Sequence, residues 1–344
     1  MTVQFSSIHT FTEIHNPMKD FLLDRIPLEI RFDPLTGRSA RVFDLPYTPP
    51  PRPDLEKEAA LSREKFCPFC PGNVEKVTPR FPVDLLAEGR LREGTAIVVP
   101  NLLPLDKYAA VCVMGENHYI PIEELKAPVF YDALKASVRF AERVLKFDPL
   151  VRACSINWNF MPPSGSSIMH PHLQINCGPA ATNEMRAQLE GSLRYAASGF
   201  GDFWDDYIAQ EKSKGERYLG RIGPFSWFLA YAPRGFLPDA WGIFDRRDIT
   251  SLSGIEINDL AEGLSRIISY FAAEGLYSFN MALFSFSEAP HFRPNVRITP
   301  RLLTREAGNS DHTYLQVLHR EPYCVKKPES VSSRIKEFFK GDYQ

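Results

Sequence analysis

The stretch SGSSIMHPHLQI, from Ser164 to Ile175, places two histidines one residue apart and a glutamine just beyond them. With 8 histidines among 344 residues, this is a concentrated use of a scarce side chain. In an extended strand, alternate residues share a face, so His170, His172 and Gln174 line up on one side. Imidazole can ligate a metal, carry a proton or act as a nucleophile. Pro171 has no N–H, which predicts an edge or irregular strand at this point. Just upstream, PPSGSS is a loop of small residues. The backbone N–H groups and hydroxyls of Gly165, Ser166 and Ser167 are suited to surround a phosphate, as anion nests do. The competing reading of an isolated HPH is two histidines hydrogen-bonded on a surface.

A second cluster is CPFC, with Cys67 and Cys70 at CxxC spacing. That spacing serves zinc or thiol redox chemistry. The redox use calls for a βαβ context that the flanking sequence lacks. Zinc needs two more ligands. His118, in MGENHYIP, and His170 are candidates, because each lies at the end of an expected strand in the same half of the chain. The alternative is a pair of buried structural cysteines. Cys112, Cys154 and Cys177 sit in apolar runs and read as core residues.

The elements that would position these groups are legible from pattern. TAIVVP and YAAVCVM are apolar, β-rich runs joined by NLLPLDK, an expected strand pair. In IEELKAPVFYDALKASVRFAERVLKF, Leu134, Val138, Ala141 and Leu145 recur at helical spacing, with Pro128 near the start. VRACSINWNF and HPHLQINC then read as strands. The same order returns later: WFLAYAPRGFLPDAWGIFD gives strand, turn, strand; IEINDLAEGLSRIISYFAAEG gives an amphipathic helix; YSFNMALFSF and NVRITPRL give strands. Local similarities such as SINWNF against SFNMAL point to an internal duplication. Between the copies, TNEMRAQLEGSLRYAASGFGDFWDDYIAQEKSKGERYL reads as polar helix. Residues 1–30 are expected to form a peripheral arm with a short helical piece. RFDPLTG is expected to be a strand entering a turn, and LPYTPPPRPDLEKEAA a surface loop.

Composition sets outer bounds. Hydrophobic residues at 44% and charged residues at 24% describe an ordinary globular chain. A formal charge of −2 gives no basic surface for nucleic acid or an anionic membrane. No apolar run is long enough to span a bilayer, and the N-terminus lacks a secretory pattern. Scattered cysteines fit a reducing cytoplasm.

Taken together and in order, RFDPLTG, CPFCPGN, PNLLPL, ENHYIPIEEL, NWNF and SGSSIMHPHLQI resemble the galactose-1-phosphate uridylyltransferases of the histidine-triad superfamily. The resemblance runs from about residue 31 to 335. It implies an α+β fold of two tandem histidine-triad-like halves, an antiparallel sheet with flanking helices, preceded by the arm. The halves would span 31–185, with the zinc and active site, and 186–344, degenerate. It implies a homodimer, structural zinc on Cys67, Cys70, His118 and His170, and His172 as nucleophile. A nucleoside monophosphate, UMP or AMP, would pass from a nucleotide sugar to a sugar phosphate or phosphate through a covalent nucleotidyl-histidine. Gln174 would hydrogen-bond the nucleotide phosphate, with Gly165, Ser166 and Ser167 stabilising phosphate charge and Asn101 and Asn159 near the nucleotide. Alternatives are phosphorolysis of an ADP-sugar or dinucleoside polyphosphate, and a nucleotide-binding protein without catalysis.

The chain also departs from that pattern. Where relatives with a second metal have a Glu and an HxH in the second half, this chain has residues near Gln188, and Asn295 and Arg297. No second metal is expected there, and His291 reads as a loop histidine. Arg52 is what remains of an arginine-bearing segment. Leu102 follows Asn101 where the uridylyltransferases have an aspartate facing the ribose. YLQVLHREPY replaces a hexose-contacting segment, which leaves Arg297 and His319 as substitutes for the lost cationic contacts or as ordinary structural residues.

Overall fold

The computed structural model describes residues 3–303 and 310–340. The chain opens with a long hairpin, β1 (Ser6–Asn16) and β2 (Leu22–Phe32), paired without a break from Ser6↔Phe32 to Asn16↔Leu22. Only its tip, Pro17–Lys19, is helical, as a 3₁₀ turn. The expected arm is therefore a β-hairpin. Ile8, Phe11, Leu22 and Leu23 lie exposed on it, so neither face carries the in-out alternation that marks a strand in a sequence. The base of β2 continues into β3 (Ser39–Val42).

The segment expected to be loop after the prolines instead forms α1 (Leu55–Lys65). Asp54 caps it by accepting from the Lys57 N–H at 3.0 Å, and Glu56 and Glu58 sit favourably in its first turn. Of its side chains only Leu55 and Ala59 are buried, so no apolar periodicity announces it. A single turn, α2 (Val74–Val77), follows the CxxC.

Next come β4 (Leu91–Glu93), β5 (Ala96–Pro100), β6 (Tyr108–Val113), helix α3 (Ala127–Phe147), β7 (Ala153–Phe160) and β8 (His172–Gly178). The polar helices α4 (Asn183–Ala197) and α5 (Phe203–Lys214) intervene. The pattern then returns as β9 (Tyr218–Ile222), β10 (Phe225–Leu229), β11 (Ala240–Phe244), α6 (Gly254–Ala273), β12 (Phe279–Phe286) and β13 (Asn295–Pro300). The chain ends with the turn α7 (Tyr314–Val317), the short β14 (Tyr323–Cys324) parallel to β3, and α8 (Pro328–Phe339).

Strands β4 to β13 form one ten-stranded antiparallel sheet in the order β4-β5-β6-β8-β7-β12-β13-β11-β10-β9. The order reads alike from both edges: three strands, then the fifth and fourth of each series, meeting where β7 pairs with β12. One face is covered by α3 and α6. There Leu134, Val138 and Ala141 of α3 and Leu260, Leu264 and Ile268 of α6 bury with Ile156, Trp158, Leu173 and Ile175 of the strands. Each such aliphatic side chain contributes about 1.5–3 kcal/mol by leaving water. The helix periodicity of the sequence is thus realised, with Leu145 half-buried at its end. Cys112, Cys154 and Cys177 lie in this core. Among the described residues, no helix is long and apolar enough to cross a membrane. The opposite face of the sheet, left free by the two long helices, holds His172, Gln174 and Asn159.

Candidate active site and metal centre

Because side chains alternate, burying Leu173 and Ile175 on the helix face sends His172, Gln174 and Asn176 to the other side of β8. On β7 the same logic puts Asn157 and Asn159 beside them. Val111 and Val113 of β6 stand opposite Gln174 and His172 across the ladder. They form the floor of a small apolar cluster with Val99, Phe69, Val74 and the two CxxC cysteines. The CPFC turn is held over this floor by Asn73, whose side chain donates to the Cys67 carbonyl at 2.8 Å.

Cys67, Cys70, His118 and His170 meet there, all buried, with one ligating atom from each inside 4.8 Å of the others. Cys70 Sγ lies 3.3 Å from His118 Nδ1, and both sulfurs lie 3.8 Å from His170 Nδ1. Tetrahedral zinc with bonds of about 2.0–2.3 Å sets its ligand atoms about 3.3–3.8 Å apart. The donor set and its spacing therefore fit a zinc ion. The far side of each imidazole is also spent as a ligand's should be. His170 Nε2 donates to the Gly115 carbonyl at 2.8 Å. His118 Nε2 donates to Ser62 Oγ at 2.8 Å, and that hydroxyl donates to Ala59 O. Both Nδ1 lone pairs are thereby turned to the sulfurs. Burial holds the His170 pKa down to about 4 and favours the neutral, ligating form. Burial also raises the Cys67 thiol to about 11, so its proton leaves readily only in exchange for a cation.

His172 is held differently. Its Nδ1 lies 2.8 Å from the carbonyl oxygen of His170, which can only accept, so Nδ1 carries the proton. The lone pair is then on Nε2, which has no partner among the described residues. Burial lowers the pKa of this imidazole too, keeping it neutral. Phe69 packs on the ring at 5.2 Å between centroids and fixes its orientation. Among the described residues, the side chains of Gln174 and Ser167 have no hydrogen-bond partner. The Ser166 hydroxyl instead donates to Ile168 O, and the Gly165 N–H closes a 3₁₀ turn on Pro162 O. The free N–H groups of the loop, among the described residues, are those of Ser166 and Ser167. Met161, which opens this loop, is buried yet holds φ 68° and ψ 159°, a conformation that costs a non-glycine residue about 1–3 kcal/mol. Asn101, at the end of β5, donates its N–H to Ala109, which is level with Asn176. It lies two strands away from His172 and further along the sheet. Sequence reading missed Ser62, Phe69 and Asn280, the last of which donates to Asn159.

The second arm of the sheet, β9 to β13, has the same frame as the first, β4 to β8, with other contents. Gln174 pairs with Asn157 across β7–β8, and Thr299 pairs with Asn280 across β12–β13. Aligning Asn157 with Asn280, as in SINWNF and SFNMAL, sets Asn295 and Arg297 at the places of His170 and His172. Asn295 accepts from Trp241 Nε1 at 2.9 Å and donates to Gln188 Oε1 at 2.9 Å and to Arg293 O. Arg297 bridges Asp239 at 3.2 Å and Asp33 at 3.4 Å and lies over the Trp241 ring. A cavity of about 400 Å³ opens beside this network, lined by Asp33, Arg38, Glu184, Arg234 and Arg320 among others, and includes none of the sequence-predicted site residues. Arg52 is engaged with Glu123 and Tyr119, and His319 is exposed against Tyr314.

No family model matches the chain. An uncharacterized protein of Archaeoglobus fulgidus is 32% identical over 314 residues, which is 91% of this chain and 92% of that one. Among solved structures, the ADP-glucose phosphorylase of Arabidopsis thaliana with bound ADP-glucose superposes with a TM-score of 0.66 at 15% identity, over 90% of this chain and 98% of that one. A uridylyltransferase does so with a TM-score of 0.64 at 19% identity, over 92% and 99%. The likeness to both is one of fold.

Proposed function

We propose nucleotidyl transfer through His172 as the function of this chain, which belongs to the same family as that Archaeoglobus fulgidus protein and carries the fold of the uridylyltransferases. The single observation behind the proposal is the state of His172: a neutral imidazole, its Nδ1 proton pinned to a carbonyl, its Nε2 lone pair unspent beside a strained loop with free N–H groups. Nε2 attacks the α-phosphorus of a nucleotide sugar. The P–O bond to the sugar phosphate breaks, and that phosphate leaves with the electron pair. An oxygen of a second phosphate then attacks the same phosphorus, the N–P bond breaks, and the lone pair returns to Nε2. The Gln174 amide and the Ser166 and Ser167 N–H groups stabilise charge on the transferred phosphate. A zinc ion on Cys67, Cys70, His118 and His170 would be structural, tying the CxxC turn to the strand that presents His172. We read the mirrored strand order as two histidine-triad-like halves, 31–185 and 186–344, the second without chemistry of its own.

A second reading keeps the mechanism and changes the nucleotide to adenylyl, with phosphate as acceptor. It is supported by the shared fold with a solved ADP-glucose phosphorylase that holds ADP-glucose. Incubation with UDP-glucose or ADP-glucose labelled in the α-phosphate decides between them. The expected result is acid-labile label on His172 from one of the two and, with the label placed in the glucose instead, its exchange between donor and sugar phosphate without acceptor. Absence of label and exchange from both would sink the proposal.

A further inference from the structure

Among the described residues, one side chain of the other arm of the sheet hydrogen-bonds the loop beside His172. Asn280 of β12 is the cross-strand partner of Asn159. Its Nδ2 donates to Asn159 Oδ1 at 2.7 Å and to the Ser164 carbonyl at 2.9 Å. Its Oδ1 accepts from Arg301 Nη1 at 2.6 Å. Arg301 is in turn clasped by both carboxylate oxygens of Asp311, through Nε at 2.9 and 3.0 Å and Nη2 at 2.7 Å. Asp311 is buried at 2% exposure and also accepts the Leu302 N–H, so the clasp is fixed to the backbone.

This chain of bonds has a forced direction. A guanidinium only donates, so the oxygen of the Asn280 amide must face Arg301. Its nitrogen then faces the loop, where the Ser164 carbonyl only accepts. Asn159 must answer with its own oxygen. That leaves the Asn159 Nδ2 group, two donors, without a partner among the described residues on the sheet face of His172. An amide orientation that is ordinarily ambiguous is thus set by a cation one residue removed.

We propose that Asn280 is a positioning residue, locked by Arg301 and Asp311, which holds the Asn159 amide with its N–H groups presented to the nucleotide phosphate and anchors the phosphate loop at Ser164. This rests on the nucleotidyl-transfer reading for its substrate, though not for its geometry. No atom of Asn280 need touch the nucleotide. The second arm, without chemistry of its own, would contribute to the site through this contact.

Asn280→Asp keeps the shape and offers Arg301 a carboxylate, so the thermal midpoint is expected to stay level or rise. A carboxylate cannot donate, however. Ser164 loses its partner, and Asn159 turns to donate to the introduced carboxylate, presenting its oxygen to the phosphate. Nucleotidyl transfer is expected to fall about 10²-fold, the usual loss for one preorganised donor. Asn280→Ala, which leaves Asn159 free to turn either way, is expected to lose less. A merely structural residue would give the opposite ranking, with the truncation worse than the isosteric change. In an Asn159→Ala background, Asn280→Asp should cost less than it does in wild type, because the part of its effect that runs through Asn159 is already gone and only the loop anchor at Ser164 remains to be lost. Amide hydrogen exchange of Ser164 and Gly165, whose N–H groups close the loop's turn on Met161 and Pro162, is expected to quicken without substrate in Asn280→Asp. Wild-type turnover in Asn280→Asp, multiplying losses in the double variant, or unchanged loop exchange would each overturn the inference. The exchange readout decides even if the wild-type protein labels with no nucleotide, an outcome that counts against the proposed reaction alone.

Discussion

β8 and β13 occupy matching places in one sheet, and the side chains at their free faces do opposite things. At β8, His170 just before the strand is committed to a buried cluster with two cysteines and a second histidine, while His172 at its start keeps a nitrogen without a partner among the described residues. On β13, Asn295 gives its oxygen to Trp241 and its nitrogen to Gln188 and Arg293, and Arg297 is shared between two aspartates and a tryptophan face. One strand holds groups whose valences are left open, and the other closes them on neighbours. The frame is therefore neutral as to function. What makes a site is polar capacity that the fold positions and does not consume.

The strongest way to break that comparison is to truncate the matching residues. If His172 is the nucleophile, His172→Gly is expected to lower nucleotidyl transfer by at least about 10⁴-fold, while its cost in stability is limited to one imidazole packed against Phe69 and leaves the protein folded. Arg297→Leu should do the reverse. It strands Asp239, whose side chain is 1% exposed, and leaves Asp33 with Arg234 alone, and breaking a buried pair costs about 3–5 kcal/mol. Transfer per folded molecule should stay within a few-fold of wild type. Denaturant melts beside labelling assays check both. A stable Arg297→Leu, or an active His172→Gly, would show that the two strands are not divided as stated.

Metal dependence should also separate the arms. Chelation or Cys67→Ser is expected to remove about one zinc per chain and destabilise the protein by about 4 kcal/mol, the linkage for free zinc about 1,000-fold above its Kd. The loss should appear first as faster amide exchange around residues 67–74 and 113–120, with β9 to β13 protected as before. Elemental analysis finding no metal in the native protein would refute the centre.

Much of the first arm was open to view in the sequence because its signals are local or periodic. HPHLQ and CPFC are short spacings that chemistry restricts. Helices α3 and α6 advertise themselves through one apolar face. The groups that finish the site were not visible, and the reason is distance along the chain. Ser62 meets His118 across 56 positions, and Asn280 meets Asn159 across 121. A serine on a polar helix and an asparagine in a strand carry no mark of a partner so remote. The hairpin β1–β2 escaped for another reason: most of it is exposed, and what its base buries is charged, Glu29 and Arg31, so no apolar alternation marks it. α1 escaped likewise, being mostly exposed.

Acid should weaken the attraction that ties Glu184 to Arg234 and Arg297. The Glu184 side chain is only 16% exposed. Desolvation alone would raise its pKa, but Arg234 and Arg297 outweigh this and hold the carboxyl at about 2. Its ordinary value is 4.5, so its folded value is depressed. Its contribution is fully present above about pH 4.5 and is lost as pH falls towards 2. At about 1.4 kcal/mol per pKa unit it amounts to on the order of 3 kcal/mol. Glu184→Gln should therefore be less stable than wild type at pH 7 and lose less on acidification. Parallel melts should be run on chelated protein, because zinc ligands also protonate in acid. Identical acid slopes for the two proteins would remove Glu184 from the account.

The smallest expected effect tests whether the metal cluster is a centre or only a close packing of four side chains. Ser62→Ala deletes one hydroxyl on α1, outside the ligand set. If His118 ligates through Nδ1, the Nε2 proton must go somewhere, and Ser62 Oγ at 2.8 Å is the acceptor that keeps it there. Without it the imidazole is freer to rotate and to carry its proton on Nδ1, where it opposes binding. Outer partners of this kind are worth about 10- to 100-fold in metal affinity. We expect the low end, since water can reach a residue at the protein's edge. Zinc affinity by competition with a chromophoric chelator should weaken about tenfold, and transfer at saturating zinc should be unchanged. A hydrogen bond that served only to pack α1 would give a lower melting temperature in the chelated protein and no change in affinity. That result would leave His118 as a neighbour of the cysteines rather than their co-ligand. It would also remove the reason for the first arm to keep two histidines where the second keeps an asparagine and an arginine.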